Sequence, residues 1–162
     1  MKLIKNTIFS KLLIISIIFV LDRFSKIYII YFFNQNQFQE VYLTDFVNFY
    51  LIWNEGIAFG LLNFNDQFIY NIITSLIILI SLVILYLAFK SKKLESYFYL
   101  MIFGGSLGNL FDRLKYLAVP DFIDVHIGKY HWFIFNVADI FITLGVICLI
   151  LVELFFNKKK YE

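Results

Sequence analysis

The chain of 162 residues has one cysteine, one proline and two histidines. A single thiol, Cys148, excludes an intramolecular disulfide and any cysteine-based metal cluster. One proline and 7 glycines leave no room for a flexible linker, and no internal repeat divides the chain. Charged residues are scarce at 16%, against about a quarter in ordinary soluble domains. A net charge of +2 offers nucleic acid no basic face. What abounds is apolar: hydrophobic residues make up 61%, with 21 Phe and 11 Tyr. A soluble domain this small cannot hide that much apolar surface. Disordered, collagen-like and ordinary soluble-enzyme classes fall away, and an integral membrane protein of one domain, 1–162, is expected.

Four apolar stretches predict four transmembrane helices, about 7–33, 68–89, 97–113 and 133–156. The first begins like a secretory signal peptide, with Lys2 and Lys5 before an apolar run. No small-x-small cleavage site follows, and apolar sequence resumes at Ile27, so an uncleaved helix is expected. Lys2, Lys5, Lys11, Lys90, Lys92, Lys93 and Lys158 to Lys160 supply 9 of the 14 basic residues. The segment 34–67 has none. The positive-inside rule then places both termini in the cytoplasm and the longer segments, 34–67 and 114–132, outside. Each outer segment alternates with a period of two: Val47, Phe49, Leu51 and Trp53 against Asn48, Tyr50, Ile52 and Asn54; then Asp121, Ile123 and Val125 against Phe122, Asp124 and His126. That pattern predicts strands, with Gly128-Lys129 as a turn, in a small sheet on the outer membrane face.

Ionisable groups inside membrane spans are costly and mark function by default. Asp22, Arg23 and Lys26 lie in the first span. Asp112 and Arg113 end the third, and Asp139 opens the fourth. All fall in the outer half of the bilayer, and the second outer segment adds Asp121 and Asp124. Asp22 with Lys26, and Asp112 with Arg113, read as ion pairs. Asp121 and Asp139 have no basic neighbour in sequence. Two carboxylates held close in low dielectric share a proton, and such a pair serves as base and acid toward a peptide bond. Other chemistries fit less well. His126 and His131 lack a His-Glu-x-x-His helix. Gly104-Gly105-Ser106-Leu107-Gly108 matches a nucleophile elbow in letters, but within an apolar helix Gly104 and Gly108 read as a close-packing face. A proton-coupled transport or channel subunit is the alternative function, and a structural scaffold a third.

Four blocks in order resemble the lipoprotein signal peptidase (signal peptidase II) family: Leu21-Asp22-Arg23-Phe24-Ser25-Lys26; Asn54-Glu55-Gly56-Ile57-Ala58-Phe59-Gly60; Gly104 through Arg113; and Val119-Pro120-Asp121-Phe122-Ile123-Asp124 followed by Phe135-Asn136-Val137-Ala138-Asp139. The resemblance covers nearly the whole chain. It implies an intramembrane aspartyl endopeptidase of the bacterial cytoplasmic membrane that removes the signal peptide from prolipoproteins. Its members cut just before a cysteine carrying diacylglycerol, without metal or organic cofactor. Implied too is an extracytoplasmic β-cradle beside the four helices. A monomer among membrane lipids is expected, with its active site toward the outer face. By motif match Asp121 and Asp139 correspond to the catalytic pair. Asn54, Asn109, Arg113 and Asn136 match residues lining the family's site, and Asp22, Lys26, Asp112 and Gly56 match supporting ones. Spacing alone does not choose Asp121 over Asp124. Ser106 stands where the family commonly has alanine, and Phe133 where it often has proline.

Overall fold

A computed structural model describes residues 2–36, 40–56, 67–91 and 94–156. Four helices and a four-stranded antiparallel sheet account for most of them: α1 (Lys2–Asn36), β1 (Val41–Tyr42), β2 (Val47–Asn54), α2 (Gln67–Lys90), α3 (Leu94–Tyr116), β3 (Val119–Ile127), β4 (Tyr130–Phe135) and α4 (Val137–Phe156). Lys92, Lys93 and Lys158 to Lys160, used above for orientation, lie outside the described residues, as do Ile57 to Gly60 of the second block.

By length and composition, α2 and α4 are long and apolar enough to cross a membrane. Their burial is inverted relative to a soluble core. The buried residues of α2 are Tyr70, Thr74, Ser81 and Ala88, while Leu76, Leu79, Ile80 and Leu82 face outward. An apolar exterior over a polar interior suits hydrocarbon as the solvent.

The third helix is central, and its glycines set how closely it is approached. A Cβ at Gly104 would lie 3.0 Å from Ile18 Cβ of α1, and one at Gly108 would lie 2.9 Å from Asp22 Cγ. The Gly104/Gly108 face is therefore the close-packing surface its spacing suggests. Gly105 opens the opposite side, where a Cβ would meet the Ala138 carbonyl of α4 at 2.5 Å. Toward α2, Ser106 Oγ lies 2.5 Å from Ser81 Oγ. At the C-terminal end of α3, Leu117 adopts φ 58°, the left-handed turn that stops the helix and sends the chain into β3.

The sheet order is β1-β2-β3-β4. Gly128 (φ 60°) and Lys129 form the tight turn between β3 and β4, with glycine at the first central position as a II′ hairpin requires. Phe122 packs with Ile29 and Phe33 and against Phe49 and Val137, fastening the sheet to the end of α1. Two expectations change. Phe133 to Phe135 belong to β4, so the fourth helix starts at Val137 rather than near 133; strand pairing with Ile123 and Val125 captures the apolar Phe-Ile-Phe run. The strict alternation of β2 also breaks. Phe49 pairs Ile123 but Ile52 pairs Asp121, an extra residue in β2. This bulge swaps the faces of all that follows.

Candidate active site

The bulge decides what surrounds Asp121. Unbroken alternation would leave Asn54 on the face of Asn48, which pairs Asp124. The extra residue turns Asn54 onto the face of Asp121 instead, and Asn54 Nδ2 donates to Asp121 Oδ2 at 2.9 Å. Asp124, three residues along β3, points to the other face and meets His131 Nδ1 at 2.7 Å. Geometry thus separates the two carboxylates that spacing could not.

Asp139 is the third residue of α4, and Asn136 is its cap. Asn136 Oδ1 accepts from the Asp139 N–H at 3.1 Å, and the Asn136 N–H donates back to Asp139 Oδ2 at 3.1 Å. This is a capping box, which fixes the Asp139 rotamer while it starts the helix. The remaining arm of Asn136, Nδ2, donates to Asp121 Oδ1 at 2.5 Å. One fully buried asparagine therefore holds both aspartates.

Around them lies a second layer of polar contacts. Asn109 Nδ2 donates to Asp139 Oδ1 at 2.8 Å, and Asn109 Oδ1 accepts from Lys26 Nζ at 2.7 Å. Lys26 also pairs Asp22 (3.0 Å) and Asp112 (2.8 Å). Asp22 Oδ1 accepts from the Ala138 N–H at 3.0 Å, so α1 helps cap α4. The expected Asp22–Lys26 pair is present; the expected Asp112–Arg113 pair is not. Adjacent helical residues do not face each other, and Asp112 instead takes a forked contact from Arg23. Arg23 also reaches Asp22 at 2.8 Å. Arg113 turns the other way: Nη2 donates to the Gly56 carbonyl, Cζ lies 5.8 Å from the centre of the Tyr70 ring, and buried Nη1 has no hydrogen-bond partner among the described residues. Gly56 N in turn donates to Asn54 Oδ1 at 2.9 Å.

A cavity of about 220 Å³ opens among these groups, lined by Asn54, Ser106, Asn109, Arg113, Asp121 and Asp139 with a few apolar neighbours. An apolar groove of about 390 Å³ between β4 and α4 adjoins it, and Asp139 and Thr143 line both. Burial pushes the Asp121 carboxyl up to about 6; the charge of Asp139 adds to this, and the Asn54 and Asn136 donors oppose it. The residues put forward by the sequence (Asp22, Lys26, Asn54, Gly56, Asn109, Asp112, Arg113, Asp121, Asn136 and Asp139) thus all join one connected network. Three participants lie outside that set. Arg23 closes the ion-pair cluster, Ser106 lines the cavity from α3, and Thr143 lines it one helical turn beyond Asp139, a spacing visible in the sequence. Among the described residues no group of three His, Cys, Asp or Glu is arranged to hold a metal ion.

Comparison with known proteins gives the family. The chain is 51% identical to a lipoprotein signal peptidase of Pelagibacter ubique over 94% of its own length and 92% of the relative's. It is 42% identical to the lipoprotein signal peptidase of Francisella tularensis subsp. novicida over 75% and 78%. Two solved structures of bacterial membrane enzymes, determined by the in meso method, superpose with TM-scores of 0.73 and 0.70. Their identities are 28% and 30%, and they cover 93% and 92% of this chain and 91% and 94% of theirs. The Peptidase A8 family, described as Signal peptidase (SPase) II, matches residues 14–156. A membrane protease that processes lipoproteins fits both the fold and the site, and the chain belongs to the signal peptidase II family.

Proposed function

We propose that the protein is an aspartyl endopeptidase of the bacterial cytoplasmic membrane that cuts prolipoproteins before a diacylglyceryl-modified cysteine. The observation that carries this reading is Asn136, which ties two buried aspartates to one cavity. All four helices span the bilayer in this reading, as one domain and one monomer. Both termini are cytoplasmic, and the sheet lies on the outer face. At 23 residues α3 is about 35 Å long, enough to cross a hydrocarbon core of about 30 Å.

Asp121 and Asp139 share one proton across a water molecule. Asp139, at the N-terminal end of α4 and among N–H donors, is the base; Asp121 carries the proton. Asp139 takes a proton from the water as its oxygen attacks the scissile carbonyl carbon. Asp121 gives its proton to the carbonyl oxygen, forming a neutral diol. On collapse a diol hydroxyl returns a proton to Asp121, and Asp139 passes the proton it took from water to the leaving nitrogen as the C–N bond breaks, so the pair ends singly protonated on Asp121. Arg113 lines the cavity with Nη1 unpartnered among the described residues, and it holds a substrate carbonyl. The peptide occupies the polar cavity, and the acyl chains of the adjacent cysteine enter the groove of Phe133, Phe135, Ile140 and Leu144.

The test is cleavage of a diacylglyceryl-modified prolipoprotein by the purified protein and by Asp121→Asn, Asp124→Asn and Asp139→Asn. Activity is expected to vanish in the first and third and to persist in Asp124→Asn. An active Asp139→Asn protein would overturn the mechanism. An inactive but folded wild type would overturn the function.

A further inference from the structure

Lys26 is 1% exposed, and an ammonium has three protons to place. Three acceptors receive them: Asp22 Oδ1 at 3.0 Å, Asp112 Oδ2 at 2.8 Å and Asn109 Oδ1 at 2.7 Å. The first two are ion pairs, one within α1 and one joining α1 to α3, of a kind that would support a helix bundle in any membrane protein. The third is different, because an amide has two ends. With Oδ1 turned to the ammonium, Asn109 must present Nδ2 to Asp139, and it does so at 2.8 Å. Flipping the amide would set its NH₂ against the ammonium and its oxygen against the carboxylate, repulsive on both sides.

We infer that Lys26 is a positioning residue for Asp139, acting through the amide of Asn109. This rests on the reading of Asp121 and Asp139 as the catalytic pair and gives the buried cation a task in the reaction beyond bundle cohesion. Lys26 keeps a donor aimed at the base and holds one Asp139 oxygen in place, while the capping box holds the other. Its charge also reaches the dyad directly, favouring ionisation of Asp121. The charged groups that face Lys26 are Asp22 and Arg23 from α1, Asp112 from α3, Asp121 from β3 and Asp139 from α4. Asp22 and Asp112 stay paired to Arg23 when Lys26 is neutralised.

The experiment uses the purified full chain in detergent or lipid nanodiscs, with Lys26→Gln and Lys26→Arg beside wild type. Cleavage is measured across pH and normalised to folded protein. Lys26→Gln is expected to lower kcat by roughly 10- to 100-fold with KM nearly unchanged, as loss of a positioned group does. The high-pH limb of its profile should move up by about one pH unit, the order expected when one nearby buried charge is removed. Lys26→Arg should restore the position of that limb. A Lys26→Gln enzyme with the wild-type kcat and profile overturns the inference. A loss that merely tracks the folded fraction, with the limb unmoved, also overturns it and leaves Lys26 a structural cation. If wild type does not cleave, the peptidase reading beneath it fails first.

Discussion

Asn136 performs two separable jobs, and its variants can tell them apart. Its side-chain oxygen caps α4 through the Asp139 N–H, and its NH₂ group bonds Asp121 at 2.5 Å. Alanine removes both. Loss of an N-cap costs about 1 kcal/mol, and leaving the buried Asp121 oxygen without its donor about 2 kcal/mol, so Asn136→Ala should lose about 3 kcal/mol. Serine caps helices as well as asparagine does but has no second arm to reach Asp121. Asn136→Ser should therefore lose about 2 kcal/mol and be the more stable of the two. Activity should not follow that order. Both variants release Asp121 from its bridge to Asp139, and both should drop kcat by about 100-fold, the effect of a misplaced reacting group. Denaturant titration of the detergent-solubilised proteins reads the first ranking, and cleavage of a lipidated prolipoprotein reads the second. A serine variant with wild-type kcat would show that the bridge to Asp121 is irrelevant to the reaction. Equal stability of serine and alanine would show that the capping box is irrelevant to the fold.

Two further outcomes follow from the packing and the charge. Gly108→Ala places a methyl 2.9 Å from Asp22 Cγ and must displace the carboxylate that caps Ala138. Overpacking of this kind costs about 1–3 kcal/mol, so its melting temperature should fall well below that of Gly128→Ala, where nothing lies within 4 Å and only the turn conformation is strained. Equal melting temperatures would show that the close α1–α3 approach does not limit stability. As for pH, in the proposed mechanism Asp121 carries the proton, and burial and the charge of Asp139 raise its carboxyl to about 6, so kcat/KM should decline as pH rises through that region. A flat profile from pH 5 to 8 would assign the acid elsewhere.

The helices are legible in the sequence because each carries a long apolar run, and β2 and β3 because their alternation survives over several residues. The bulge between Phe49 and Ile52 is not. It carries no glycine or polar signal, since Tyr50 and Leu51 suit a strand as well as their neighbours do. Yet that one residue turns Asn54 toward Asp121, so the choice between Asp121 and Asp124 is hidden for the same reason. The strand β4 escapes because Phe133 to Phe135 look the same to a hydropathy reading whether they enter a membrane or pair with β3. Arg113 is the wrong partner for Asp112 because adjacency in sequence is not adjacency in space; helical geometry puts Arg23, on another helix, in reach instead.

The charges around the cavity give a reason for the dyad to hold one proton. Among the described residues four carboxylates, Asp22, Asp112, Asp121 and Asp139, share this region with three cations, Arg23, Lys26 and Arg113. Two of the carboxylates are neutralised in place by Arg23 and Lys26, through contacts of 2.6–3.0 Å. That leaves Arg113 facing Asp121 and Asp139 across the cavity. A fully ionised pair would leave the region one negative charge in excess, and a doubly protonated pair one positive charge. Only the singly protonated pair is neutral, and in a medium where an uncompensated charge costs several kcal/mol that state is strongly favoured. It is also the state that can give and take a proton in the same step. The ion-pair cluster on α1 and α3 thus does more than join helices: it balances its own carboxylates, and through Lys26 it favours the ionised form of Asp121 against the burial and the Asp139 charge that oppose it.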